Sequence, residues 1–203
     1  MVAKKEIFFF KNYIEESKKT YSNINLKLLN KISIIILKKI RSNRKIFVCG
    51  NGGSASISNH FLCDFNRGIK LTSKKKLYPK IISLSNSVET ITAIGNDINF
   101  ENIFVDQLEN YISKNDLLIV FSCSGKSKNI LKAIKFAKKK KIKIIKFFGF
   151  SKKSYENKNE ITLSINSNNY GISEDVFQAS MHMISQFIRS KFIKKFNFKK
   201  IRL

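Results

Sequence analysis

The feature that most restricts the fold is a repeated change of hydrophobic period. Short apolar runs that end in small polar residues give way to stretches whose apolar positions recur at helical spacing. Lys45 to Cys49 reads as a strand ended by Gly50-Asn51-Gly52-Gly53-Ser54, with a Ser-capped helix following at about 55–66. The unit recurs. Lys80 to Ser85 is a strand followed by helical stretches near 87–94 and 99–112, and Asp116 to Ser122 is a strand followed by a helix at 127–139. A fourth strand is expected at Ile142 to Phe148, a fifth at Ile161 to Ile165, and a long last helix at 172–192. Two helices, 4–21 and 25–42, precede the units; Leu26, Leu29, Ile32, Ile36 and Ile40 mark the apolar stripe of the second. Strands alternating with helices argue for an α/β fold, a five-stranded parallel sheet covered on both faces, with ligands outside the carboxyl ends of the strands.

A chain of 203 residues, 43% of them hydrophobic, buries a sizeable core in one domain. We expect that domain to cover 1–193, followed by a basic tail at 194–203 carrying Lys194, Lys195, Lys199, Lys200 and Arg202. The apolar runs fall far short of the roughly 20 residues that cross a bilayer, and the amino terminus shows no signal-peptide pattern, so the expected compartment is the cytoplasm. Cys49, Cys63 and Cys123 are too widely spaced for a zinc ribbon and read as reduced thiols. The net charge of +25 raises the question of a nucleic-acid partner. Lysines run along almost the whole chain, which fits a compositional bias and a solvated surface better than a polyanion-binding patch.

Two loops carry candidate chemistry. Gly50-Asn51-Gly52-Gly53-Ser54-Ala55 formally fits the dinucleotide pattern G-x-G-x-x-A, but the second strand runs out into Ser83-Leu84-Ser85, without the acidic residue that holds a ribose. Glycines that admit a small phosphorylated ligand to the backbone, with Asn51 and Ser54 as polar contacts, are the better reading. Ser122-Cys123-Ser124-Gly125-Lys126-Ser127 places hydroxyls at the end of one strand and at the start of a helix, an anion cradle in which phosphate needs no metal. The two histidines each share a helix with a carboxylate: His60 with Asp64 at i,i+4, and His182 with Glu174 and Gln178 along one face. That set serves either as metal ligands or as a general acid and base, and spacing does not choose between them. Asn96-Asp97 after a helix is either a turn or a contact to a substrate hydroxyl.

Gly-Asn-Gly-Gly-Ser at 50–54, Asn-His-Phe at 59–61, Ala-Ile-Gly-Asn-Asp at 93–97, Ser-x-Ser-Gly-x-Ser at 122–127 and Met-His-Met at 181–183 together resemble the phosphoheptose isomerase branch of the sugar isomerase (SIS) family, to about Ile188. The resemblance implies a three-layer sandwich of flavodoxin-like topology. It implies an aldose–ketose isomerisation of sedoheptulose 7-phosphate to D-glycero-D-manno-heptose 7-phosphate, feeding the activated heptoses of surface polysaccharides such as lipopolysaccharide. A homotetramer with active sites at subunit interfaces is implied, with one zinc ion per subunit. Mapped by motif, Asn51, Gly52, Gly53, Ser54, Asn96, Asp97, Ser122, Cys123, Ser124 and Ser127 contact substrate. His60, Asp64, Glu174 and His182 hold the metal, Asp64 and Glu174 also touch substrate, and Asp64 and His182 act as base and acid. Asp64 stands where the family has Glu, Glu174 where it has Gln, and Cys123 where it often has Thr. Two other implied outcomes are a non-catalytic SIS scaffold of the replication-initiator-associating type and an isomerase for a different sugar phosphate. A sugar-phosphate-sensing regulator would bring a DNA-binding domain for which no residues remain.

Overall fold

The computed structural model describes residues 2–199, so Lys200 and Arg202 of the basic tail lie outside the described residues. The chain opens with helices α1 (Val2–Ser22) and α2 (Leu26–Arg41). Asn25 starts α2 by accepting a hydrogen bond from the Leu28 N–H at 3.0 Å, as an N-cap should. Then come strand β1 (Lys45–Cys49), helix α3 (Gly53–Cys63), a π-helical turn at Asp64–Ile69, and the short helix α4 (Lys70–Thr72). Strand β2 (Lys80–Ser83) leads to α5 (Val88–Asp97) and, past a 3₁₀ turn at Phe100–Asn102, to α6 (Val105–Tyr111). The second half runs β3 (Leu117–Ser122), α7 (Lys128–Lys139), β4 (Lys143–Phe148), β5 (Tyr155–Glu156), β6 (Glu160–Ser164) and α8 (Tyr170–Ser190).

The strands lie in the order β2-β1-β3-β4-β6-β5. The five expected strands pair in parallel, and β5 adds a sixth, antiparallel to β6 at the edge. Two residues are too few for a period, which is why β5 leaves no signal in the sequence. The parallel part has the doubly wound order, whose switch point lies between β1 and β3.

Alternation along the strands divides the core in two. Ile46 and Val48 of β1, with Ile119 and Phe121 of β3, face α2, α3 and α8. Phe47 and Cys49, with Leu118 and Val120, face α5, α6 and α7. Phe121, Phe147 and Phe177 pack beneath the carboxyl edge, the first two stacked with centroids 4.8 Å apart, and give the site a rigid floor. Helix α8 is buried along Ile172, Val176, Ile184 and Ile188, and the hydroxyls of Ser180 and Ser185 on that face have no hydrogen-bond partner among the described residues. Helix α1 touches α8 through Tyr13, whose hydroxyl donates to Asp175 Oδ2 at 2.8 Å, while Ile7, Phe8, Phe9, Phe10 and Ile14 stay exposed. No helix among the described residues is long and apolar enough to cross a membrane.

Candidate functional site

Two loops meet over the carboxyl ends of β1 and β3. The loop after β1 turns at Gly52, whose φ of 54° is open to glycine and strained for other residues. Gly53 then starts α3 with the Glu174 carboxylate so close that a Cβ would lie 2.1 Å from Oε2. The second loop folds on its own hydroxyls: Gly125 N–H donates to Ser122 Oγ at 3.1 Å and Lys126 N–H to Ser124 Oγ at 3.2 Å. Ser127 occupies the N-cap position of α7, yet its side chain makes no capping bond and its hydroxyl remains for a ligand. A reciprocal amide pair, Asn51 with Asn129 at 2.9 Å in both directions, ties the two loops together. Ser85 anchors the first loop by donating to Gly50 O at 2.9 Å.

These loops enclose a cavity of about 350 Å³. Asn51, Gly52, Gly53, Ser54, Ser122, Cys123, Ser124, Ser127 and Glu174, all expected from the sequence, line it. Phe121 and Tyr170 complete it, and neither they nor Asn129 were anticipated. Ser85 and Asn129 could have been sought as polar residues just past a strand end and in a first helical turn; Tyr170 carries no such signal. The α7 N-terminus gives the cavity a partial positive charge and N–H groups without intrahelical partners. Glu174 supplies the opposite polarity: Ser54 Oγ donates to its Oε1 at 3.2 Å. Burial and then the Glu174 carboxylate push the Cys123 thiol up to about 11, so it stays protonated at neutral pH and is a poor nucleophile.

The second expected constellation forms where α3 runs into the π-helical turn. Donor atoms of His60, Asp64 and His182 all lie within 4.8 Å of one another. His60 Nε2 is 3.5 Å from Asp64 Oδ1, His182 Nε2 is 4.0 Å from Asp64 Oδ2, and the two rings meet edge to face at 5.0 Å. Two imidazoles and a carboxylate are a donor set that fits a divalent transition-metal ion, with a coordination position left over. Glu174, expected as a fourth ligand, is not brought to this cluster; two helical turns away, it faces the cradle instead. Gln178 is the residue that reaches the imidazoles, donating to His60 Nδ1 at 2.7 Å and to His182 Nε2 at 3.0 Å. An amide N–H can only donate, so His60 Nδ1 and His182 Nε2 are the acceptors of those bonds when no ion is bound. Burial, with His60 adding to it and Asp64 opposing, holds the His182 imidazole below its ordinary range.

The π-helical turn that presents Asp64 is braced from the far end of α8. Arg189 Nε donates to Thr72 Oγ1 at 3.1 Å, and its guanidinium lies against Gly68. Asn96 and Asp97 are not brought to the cavity. They lie exposed at the end of α5, where the Asn96 amide donates to Asp97 Oδ1 at 2.9 Å. A further hollow of about 490 Å³ opens beside His182, walled by Met183, Phe187, Phe196 and Phe198.

The class that this fold and cavity define is that of doubly wound α/β domains with a cavity at a helix N-terminus over the switch point of a parallel sheet. The chain belongs to the SIS domain family, on its phosphoheptose isomerase branch: the family's profile matches residues 10–149, and relatives of that name align over most of the chain. A "Probable phosphoheptose isomerase" of Thermoplasma acidophilum is 32% identical over 182 residues, covering 90% of this chain and 98% of its own. A phosphoheptose isomerase of Campylobacter concisus is 30% identical over 185 residues, 90% of this chain and 96% of its own. Among solved structures, a phosphoheptose isomerase from Francisella tularensis superposes with a TM-score of 0.81 at 26% identity, covering 94% of this chain and 99% of that one.

Proposed function

We propose that this chain, a sugar-phosphate isomerase of the SIS family, interconverts sedoheptulose 7-phosphate and D-glycero-D-manno-heptose 7-phosphate, with the phosphate in the cradle of Ser122, Cys123, Ser124 and Ser127. The observation that carries the reading is the pairing of that cradle with the imidazole–carboxylate cluster formed by α3, the π-helical turn and α8, in a chain 30% identical to named phosphoheptose isomerases over most of its length.

In the proposed reaction Asp64 removes a proton from C1 of the ketose while His182 donates to the C2 carbonyl oxygen. The enediol takes its proton back at C2, the O1 hydroxyl returns a proton to His182, and the aldehyde results. Asn51, Gly52, Gly53 and Ser54 hold the substrate chain, and Glu174 accepts from a hydroxyl. The donor set of His60, Asp64 and His182 suits zinc; when bound, the ion supplies Lewis-acid polarisation of the substrate carbonyl. The assembly proposed is a homotetramer. Its supports are the exposed Phe8, Phe9 and Phe10 of α1, which a neighbouring subunit would cover, and the position of Asn96 and Asp97 outside the cavity, where they would serve a neighbour's site.

The test is to follow aldose formation from sedoheptulose 7-phosphate by NMR with metal-defined protein. His182→Ala and Asp64→Asn should each lower turnover by about 10²–10⁴-fold. Unchanged turnover in both variants removes the assignment.

A further inference from the structure

Beyond the serine loop lies another cavity, of about 590 Å³, with Ser124, Lys126, Phe148, Phe150, Asn168 and Tyr170 in its wall. Ser124 and Tyr170 also line the cradle, so the two hollows adjoin. Their chemistry differs. The cradle is lined mainly by glycines, hydroxyls and a carboxylate, with Phe121 and Tyr170 completing its wall. The annex presents aromatic rings, of which Phe150 and Tyr170 stand edge to face at 4.8 Å and 78°, with Tyr170 60% exposed. A polar rim of Asn168 and Ser151 and the exposed ammonium of Lys126 complete it, and among the described residues no acidic one lines it. Phe148, Phe150, Asn168 and Lys126 are not among the residues that line the cradle.

Ring faces with an amide at their rim and a cation beside a phosphate site complement a nucleobase joined through ribose to phosphate. The geometry points to a nucleoside 5′-phosphate as a second ligand of this protein. Its α-phosphate occupies the serine cradle, its base lies against Phe150 and Tyr170, and Lys126 meets a β-phosphate where one is present. The exposed ammonium of Lys126, in a wall to which the described residues contribute no carboxylate, argues for an anionic occupant. The inference rests on the cradle being the phosphate site of the reading above. One consequence follows for the reaction: nucleotide and sugar phosphate compete for the same cradle, so the nucleotide inhibits isomerisation competitively.

Isothermal titration of the full chain with AMP, ADP, ribose 5-phosphate and inorganic phosphate tests this. AMP is expected to bind about tenfold more tightly than ribose 5-phosphate, the increment that one stacked base supplies. Phe150→Leu, which keeps the volume and loses the ring face, should erase that preference and leave ribose 5-phosphate binding intact, a result that also certifies the fold. Lys126→Ala should remove any advantage of ADP over AMP. In the isomerase assay AMP should raise the apparent KM and leave kcat alone. Equal affinity for AMP and ribose 5-phosphate overturns the inference, as does a Phe150→Leu chain that loses both ligands alike. A change of oligomeric state by light scattering in Phe150→Leu, with AMP binding unaltered, assigns the face to a second copy and likewise overturns it. If neither phosphate nor any of its esters binds, the cradle reading itself fails, and this inference fails with it.

Discussion

Gly53 shows how one missing side chain shapes the site. With a Cβ only 2.1 Å from Glu174 Oε2, the carboxylate must leave its bond to Ser54 or the loop must shift. Gly53→Ala is therefore expected to destabilise the protein by about 1–3 kcal/mol in urea unfolding. Most of that loss should be regained when Glu174→Ala is added, because the clash is with that side chain; additive losses would contradict the account. His182 gives a second prediction. Its imidazole lies below the ordinary value of 6.5, chiefly through burial. In metal-free protein its ring resonances should titrate with a midpoint under 6.5, readily assigned in a chain with two histidines. The unfolded chain binds this proton more readily, so the contribution of neutral His182 is fully present above the unfolded value and is lost as the pH falls from there through the lower folded value. The cradle residues were legible in the sequence because glycines and serines at a strand end carry their chemistry locally. Gln178 was not. Its spacing placed it on the right face of α8, but only the packing of α3 against α8 decides that Gln178, and not Glu174, meets the imidazoles.

At the scale of elements, the alternation of strand and helix was readable because a parallel sheet buried on both faces demands near-continuous apolar strands. The single helix read at 99–112 is instead a 3₁₀ turn and α6, and the helix read at 55–66 passes into the π-helical turn at Asp64–Ile69. A π turn adds a residue to one helical turn without a distinct composition, so periodicity passes over it. Arg189 and Gly68, more than a hundred residues apart in sequence, are what stabilise it. Helix α8 also carries a cost that can be removed. The Ser180 and Ser185 hydroxyls are buried without partners among the described residues, and Ser180→Ala should raise stability by about 1 kcal/mol in denaturant unfolding. A loss of that size would mean that the hydroxyl makes a bond in solution.

For the molecule as a whole, charge is the term that sequence composition alone exposes. With +25 on 203 residues, self-repulsion opposes compaction, and the ion pairs of Glu160 with Lys138 and Lys146 offset little of it. Raising salt from about 10 mM to about 150 mM shortens the screening length from about 30 Å to about 8 Å. The melting temperature should rise, by about 2–4 °C for each kcal/mol of repulsion relieved. A fall on adding salt would show that surface ion pairs dominate instead.

Helix α8 touches the cradle at Glu174, the imidazoles at Gln178 and His182, and the brace of the π-helical turn at Arg189. The rise from Glu174 to His182 is about 12 Å along its axis. One rigid rod thus spans both ends of the site and acts as its measuring stick. On the proposed function, a ligand has to be long enough to be held at one mark while it reacts at the other, and the length of a sugar chain would be read by counting residues along a helix.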